Sequence, residues 1–278
     1  MASHPSLPPL SLSILGIEPF DEFIKEIADF ILHMINTRPD IPGAIEVEAK
    51  IGILRDRSSG QRIQLPVLVE TILAPDSVDC RFESNMSGQQ HKHFNTLLNG
   101  LKVNPPIPTS PVDYQHLYLT DSFYQNPDAA HDRDKIRVTR DEKTSTVRQC
   151  VRKIRLGDLN IYSPKRAADW RISVNYEVPM NHPIGSPSYT RRKDRLSYTH
   201  EEFVIDLTQV TSSTASNAAQ VLHELEIEIA RSDFLLAVAS KRNDVKYSEL
   251  ERSAYDELIR AFVNNARMLV RNSGDGWQ

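Results

Sequence analysis

The sequence predicts a mainly β protein of the α+β class: a closed antiparallel β-barrel with a charged lumen, covered outside by helices. Three observations carry this expectation. The stretch His223-Glu224-Leu225-Glu226-Ile227-Glu228-Ile229 alternates between glutamate and an apolar residue, the period-two signature of a strand. A near-copy, Ile45-Glu46-Val47-Glu48-Ala49-Lys50-Ile51, lies toward the other end of the chain. Between them, strand after strand carries charged or polar residues on one face: Lys135, Arg137 and Thr139; Lys153 and Arg155; Asn175 and Glu177; Arg191, Lys193 and Arg195; Asp206 and Thr208.

One acidic strand alone reads best as an exposed edge with its charges in water. Glutamates roughly 7 Å apart repel one another, and two such strands of the same parity point to one shared cation site. Ordinary antiparallel strands turn polar faces to solvent. Convergent charge on so many strands fits a barrel whose charged faces point inward. Its apolar faces then point outward and need helices over them. A β-sandwich with solvated faces leaves the convergence unexplained.

The elements follow in order. Met1 to Leu12 is rich in Ser and Pro and lacks a basic n-region, so it is no secretory signal. Residues 1–17 are expected to be a flexible lead-in and 18–278 a single barrel domain with flanking helices. Phe20, Phe23, Ile24, Ile27, Phe30, Ile31 and Met34 recur at helical spacing and predict a helix over 19–36, with Pro19 at its start. Its acidic polar face argues against a membrane-surface helix. Strands are expected over 44–54 and 62–72, the second an edge or bulged strand because of Pro66. Phe94, Leu97, Leu98 and Leu101 predict a short helix over 88–101, and Pro105, Pro106, Pro108 and Pro111 a stiff connector. Strands are then expected over 112–124, 134–140, 146–156, 159–162, 169–178, 189–200 and 202–209. Residues 141–145 read as a hairpin loop and 179–188 as a longer one. The Ser/Thr-rich run 211–217 is expected to be mobile. Ser248 with Glu251 forms a capping-box pattern ahead of a last helix whose stripe runs from Tyr255 to Val270.

Composition bounds the function. The chain has 278 residues, 40% hydrophobic and 25% charged, as in soluble globular proteins. A net charge of -4 excludes nucleic-acid binding through overall charge, so any such contact needs a local basic patch. Cys80 and Cys150 offer neither a disulfide framework nor metal-ligand spacing, which fits a reducing compartment. No apolar run reaches the length of a membrane span. Neither a Walker motif nor G-x-G-x-x-G is present. His91 and His93 lack partner ligands and read as solvated helix histidines.

Glutamates on neighbouring strands suit a hard cation such as Mg²⁺ or Mn²⁺. Arginines and lysines opposite suit phosphate oxygens, arginine through its bidentate fork. Metal, cationic wall and spare carboxylates together describe a phosphoryl-transfer site.

In their order along the chain, Glu46-Val47-Glu48, Arg191-Arg192-Lys193-Asp194-Arg195 and Glu224-Leu225-Glu226-Ile227-Glu228 resemble the motifs of the fungal mRNA-capping RNA 5′-triphosphatases, members of the triphosphate tunnel metalloenzymes. The likeness runs from about Ile45 to the last helix. It implies an eight-stranded tunnel barrel as catalytic domain, and removal of the γ-phosphate of nascent RNA as the first step of capping. It also implies NTP hydrolysis with Mn²⁺, and Mg²⁺ or Mn²⁺ as cofactor. Further implications are a homodimer, a nuclear location, no membrane, and mRNA guanylyltransferase or the RNA polymerase II transcription machinery as partner. Residue by residue, it implies that Glu46, Glu48 and Glu228 coordinate metal, and that Glu226 and Glu177 orient or activate the attacking water. Arg137, Lys193 and Arg195 would grip the γ-phosphate, with Lys153 and Arg191 in further phosphate-binding roles. Asp121, Asp206, Thr208 and Glu224 would support the tunnel. Position 204 is Val where the family pattern leads one to expect arginine. Two rival readings remain: a tunnel-class enzyme acting on inorganic tri- or polyphosphate or on nucleotides, and a non-catalytic barrel binding phosphorylated ligands or RNA.

Overall fold

A computed structural model describes residues 9–19, 21–126, 134–214, 217–274 and 277. The strands are β1 (Ala44–Asp56), β2 (Thr71–Leu73), β3 (Cys80–Glu83), β4 (Asp113–Gln125), β5 (Lys135–Asp141), β6 (Val147–Tyr162), β7 (Asp169–Pro179), β8 (Tyr189–His200), β9 (Phe203–Thr214) and β10 (Asn217–Ile229). The helices are α1 (Glu22–Asn36), α2 (Gly88–Val103), α3 (Ser232–Lys241) and α4 (Glu249–Arg271). Strands pair in the order β10-β9-β8-β4-β5-β6-β7-β1, and β1 pairs with β10, so eight antiparallel strands close into a barrel. Strands β2 and β3 are additions, on β6 and β1.

The barrel is inverted, as the alternation predicts. Leu225 and Ile227 on β10 are 0% exposed and belong to the core between barrel wall and helices, with Val47, Ala49 and Ile51 of β1 and Ile172 and Val174 of β7. Each such aliphatic side chain contributes about 1.5–3 kcal/mol when removed from water. Helix α4 supplies Tyr255, Ile259, Phe262, Val263 and Ala266, and α1 supplies Ile27 and Ile31. The Asp21 carboxylate caps α1 by accepting from the amides of Phe23 (3.0 Å) and Ile24 (3.3 Å). The Ser248–Glu251 capping box opens α4. The Tyr255 hydroxyl donates to the Ala28 carbonyl at 2.9 Å, and Arg242 bridges Asp29 and Asp256, which fixes α1 and α4 side by side.

The helices lie against β1, β6, β7, β9 and β10 rather than all around. Arg192 on the outward face of β8 is exposed and pairs with Glu142, and the outward-facing Asp194 pairs with His116 of β4. Beside these polar contacts, Tyr124 of β4 with Ile136 and Val138 of β5 form a small separate core that Cys150 and Met180 cover in place of a helix.

Several expected elements differ. Residues 62–70 form no strand: Arg62 makes a single bridge to Arg55, and only Thr71–Leu73 pairs, with β6. Pro66 cannot donate to a ladder, and Arg62 is instead tied to Asp169 and to the carbonyls of Ser163 and Arg166. The end of β1 pairs with β3, which carries no alternating signal. The two strands expected over 146–156 and 159–162 are one strand, β6, with a register shift between Arg155 and Gly157. A Cβ at Gly157 would lie 2.6 Å from Met34 Sδ, so glycine lets α1 approach the bulge. The 211–217 run is not a loop where described, since β9 continues to Thr214 and β10 starts at Asn217. Serine and especially threonine tolerate an extended, half-exposed ladder. Helix α3, short and weakly amphipathic, has no counterpart in the sequence reading. Helix α1 begins at Glu22, after Pro19; Phe20 and residues 1–8 of the expected lead-in lie outside the described residues.

Candidate active site

The inward face of every barrel strand feeds one cavity of about 470 Å³. Its lining includes Glu46, Glu48 and Lys50 from β1, Asp121 from β4, Arg137 from β5, Lys153 from β6 and Glu177 from β7. Strand β8 adds Arg191, Lys193 and Arg195, and β10 adds Glu224, Glu226 and Glu228. Asp206 and Thr208 of β9 stand behind this lining, against Arg195. Register brings the two acidic strands together, because Glu48 lies directly across from Glu228, and Lys50 from Glu226.

The cationic side is held by carboxylates. Arg195 forms ion pairs with Asp206 and with Glu226 (2.8 Å), and its Nε donates to Thr208 Oγ1 at 3.0 Å. Lys193 pairs with Asp121, which also accepts from Thr139 Oγ1 at 2.6 Å. Arg137 donates to Glu177 at 2.8 Å and to Gln149 at 3.0 Å. Lys153 pairs with Glu46 and, at 3.6 Å, with Glu48. Ser84 donates to Glu224 at 3.2 Å.

Electrostatics divide the cavity. Burial lowers the Lys193 pKa, and the neighbouring Arg195 and Arg137 lower it further against the pull of Asp121. An anion there would relieve crowding among cations. Burial opposes the charges of Glu226 and Arg195 as well. Lys50 and Arg195 nevertheless hold the Glu226 carboxyl far below its usual range, and Asp206 and Glu226 raise Arg195. Glu228 behaves oppositely: burial, then Glu46, Glu226 and Asp206, push it up to about 8. Val204, directly across from Glu228 on β9, brings no charge to offset them.

The carboxylates of β1 and β10 bear on a metal. Among the described residues no three His, Cys, Asp or Glu side chains form a ready-made cage, since Glu46 and Glu48 are engaged by Lys153, Lys50 and the Asn175 amide. The donor chemistry fits a hard divalent cation all the same. Carboxylate oxygens face the lumen from two paired strands, Glu48 directly across from Glu228, and oxygen donors are what such a cation takes.

Most of the residues singled out in the sequence thus line one cavity or back its wall. Arg155 does not join them. It is not part of the cavity lining: it lies in register with Asn175, is largely exposed, and pairs at 3.1 Å with Asp158, whose carboxylate also accepts from Ser173 of β7. His91 is not a freely solvated residue. Its ring lies 4.7 Å from that of His223, and its Nε2 is buried without a partner. The sequence reading assigned no role to Lys50, Asn175, Thr139 or Gln149. Lys50 shares the parity of Glu46 and Glu48, so that signal was present in β1 itself. Nothing local marks Gln149, which reaches the site across the β5–β6–β7 register.

Comparison with known proteins places this geometry among relatives. The model of the family described as mRNA capping enzyme, beta chain, matches residues 17–274. The mRNA-capping enzyme subunit beta of Schizosaccharomyces pombe is 36% identical over 270 residues, spanning 96% of this chain and 86% of that protein. The Cryptococcus neoformans protein of the same name is 35% identical over 95% of this chain and 65% of its own length. The solved structure of the S. pombe Pct1 RNA triphosphatase superposes with a TM-score of 0.84 at 33% identity, covering 97% of this chain and 100% of that one. A second structure of Pct1, in complex with the Spt5 CTD, gives a TM-score of 0.85 at 34% identity.

Proposed function

The chain belongs to the family of mRNA capping enzyme beta chains, and from that premise we propose that its charged tunnel removes the γ-phosphate from the 5′-triphosphate end of nascent RNA. As a member of this family it is an RNA 5′-triphosphatase, a hydrolase of the first step of capping. The observation that carries the mechanistic reading is the juxtaposition of Lys193 and Arg195 with Glu46, Glu48 and Glu228 around one cavity.

Lys193, Arg195 and Arg137 bind the oxygens of the terminal phosphoryl group, Arg195 presenting a planar fork already oriented by Asp206, Glu226 and Thr208. Lys153 and Arg191 take oxygens of the remaining phosphates. Glu226 and Glu177 accept hydrogen bonds from the attacking water. Glu226, held ionised by Lys50 and Arg195, is too weak a base to do more than orient it. The water oxygen bonds to the γ-phosphorus as the bond to the β–γ bridging oxygen breaks; one water proton passes to solvent and the other stays on the orthophosphate, leaving a diphosphate-ended RNA. Asp121 and Thr139 hold Lys193 in place, and Ser84 steadies Glu224. Mg²⁺ or Mn²⁺ held by Glu46, Glu48 and Glu228 would supply Lewis-acid charge to the phosphoryl oxygens.

The proposal extends to NTP hydrolysis with Mn²⁺, a homodimer, a nuclear site of action, and guanylyltransferase or the transcription machinery as partner. Triphosphate-ended RNA incubated with and without Mg²⁺ or Mn²⁺ tests it. Orthophosphate release that requires the metal supports the reading. Metal-independent binding with no release would favour the non-catalytic barrel.

A further inference from the structure

At one end of the cavity, the inward faces of β4, β5 and β8 change character. Below lie Asp121, Lys193 and Arg195; at the rim the same parity presents Phe123 and Tyr189. These two are direct cross-strand partners, and their rings stack at 4.4 Å between centroids with 12° between planes. The Arg191 guanidinium lies 5.3 Å from the Phe123 ring and 5.6 Å from the Tyr189 ring. Lys135 Nζ stands 5.8 Å from the Tyr189 centroid. Both rings are half-buried, and Phe123 and Arg191 line the cavity itself. Among the described residues Arg191 has no carboxylate at ion-pair distance, unlike Lys193, Arg195 and Arg137 deeper in.

Two stacked rings and a guanidinium set against them rather than against a carboxylate are an unusual lining for a cavity otherwise made of salt bridges. Phosphate binding does not need the rings, and their outward neighbours leave them out of the apolar core. Their chemistry matches a flat, aromatic, polar ligand. Tyr189 lies four residues along β8 from Lys193, roughly 13 Å. Arg191 lies two residues from each, the cation a triphosphate would meet if it extended from Lys193 toward the rings.

Resting on the triphosphatase reading above, we propose that Phe123 and Tyr189, with Arg191, form a stacking platform for the base of the 5′-terminal nucleotide. The platform takes any nucleobase, because every base offers a π-face and the rim offers no hydrogen-bond code. It would make the tunnel prefer nucleotide-borne triphosphates over inorganic polyphosphate. It would also place the first nucleoside at the rim, with the RNA chain leaving to solvent.

The test compares triphosphate-ended RNA with inorganic tripolyphosphate, used as substrate or as competitor, on wild type, Tyr189→Ala and Tyr189→Phe. For Tyr189→Ala the KM for RNA rises about tenfold with kcat unchanged. Tyr189→Phe keeps the wild-type KM, and tripolyphosphate behaves alike on all three. Phe123→Leu, which keeps apolar bulk but removes the π-face, reproduces the RNA-specific loss if Tyr189→Ala fails to fold. A binding readout separates this inference from the hydrolase reading: RNA whose first base is 2-aminopurine loses fluorescence on wild type and Tyr189→Phe, but not on Tyr189→Ala. Equal losses on both substrates, or unchanged RNA affinity and quenching in Tyr189→Ala, overturn the platform. Wild-type enzyme that releases no phosphate overturns the hydrolase reading, while the quenching still decides the platform.

Discussion

Replacing Ile227 by aspartate puts the inverted barrel to a direct test. Ile227 is 0% exposed, with its side chain in the core between β10 and the helices. Truncating such a side chain costs about 2–5 kcal/mol through lost transfer energy and the cavity left behind. A carboxylate adds the cost of burying a charge without a partner, which it can reduce only by taking up a proton. The expected destabilisation is therefore at least about 4 kcal/mol, a large part of the ~5–15 kcal/mol that holds a typical domain folded. The comparison is Glu224→Gln, three positions earlier and on the inward face. There Ser84 can still donate to an amide oxygen, so the change should stay within about 1 kcal/mol. Urea unfolding followed by circular dichroism measures both. If Ile227→Asp unfolds within 1 kcal/mol of wild type, Ile227 is not core, and the inward assignment of the glutamates falls with it.

Further outcomes follow from the same geometry. Arg195→Lys cannot reproduce the contacts to Asp206, Glu226 and Thr208 at once. Phosphate release should fall about a hundredfold while the β-sheet spectrum is retained; full activity would mean charge alone suffices. Lys193→Ala should lose a similar factor, and near wild-type turnover would remove it from the site. His91 provides a pH effect: burial, then His223 beside it, lower it to about 4 from the ordinary 6.5. Its folded-state pKa is depressed, so the unfolded chain takes up the proton first. The neutral ring's contribution is present above pH 6.5 and lost as pH falls toward 4. Wild-type Tm should thus drop more steeply across that window than the Tm of His91→Asn, and parallel curves would contradict this.

Much of the site was legible because strand parity is a strong constraint. Once Glu224, Glu226 and Glu228 are known to face inward, pairing with β9 puts Asp206 and Thr208 inward, and pairing with β1 does the same for Glu46, Glu48 and Lys50. The family resemblance added the roles, which alternation alone does not carry. Parity fails where the ladder is irregular. The register shift after Arg155 exchanges the faces of the residues that follow it, which no local pattern announced, so Asp158 rather than Leu159 shares a face with Ser173. Strand β3 and helix α3 are too short to show a period, and their places are set by pairing with the end of β1 and by packing against α4. The Ser/Thr run reads as a loop by composition alone, yet β9 and β10 remain paired as far as Thr214 and Asn217.

The central claim is that Glu48 and Glu228, on different strands but directly opposed in the β1–β10 register, serve one cation and one reaction. Phosphate release from γ-labelled triphosphate RNA in the presence of Mg²⁺ or Mn²⁺ tests it in wild type, Glu48→Ala, Glu228→Ala and the double variant. Residues acting as a unit do not add, so the three variants should show nearly equal, severe loss with the fold intact. Wild type should release label as free orthophosphate. Release of pyrophosphate, activity without metal, or losses that multiply in the double variant would contradict a shared site.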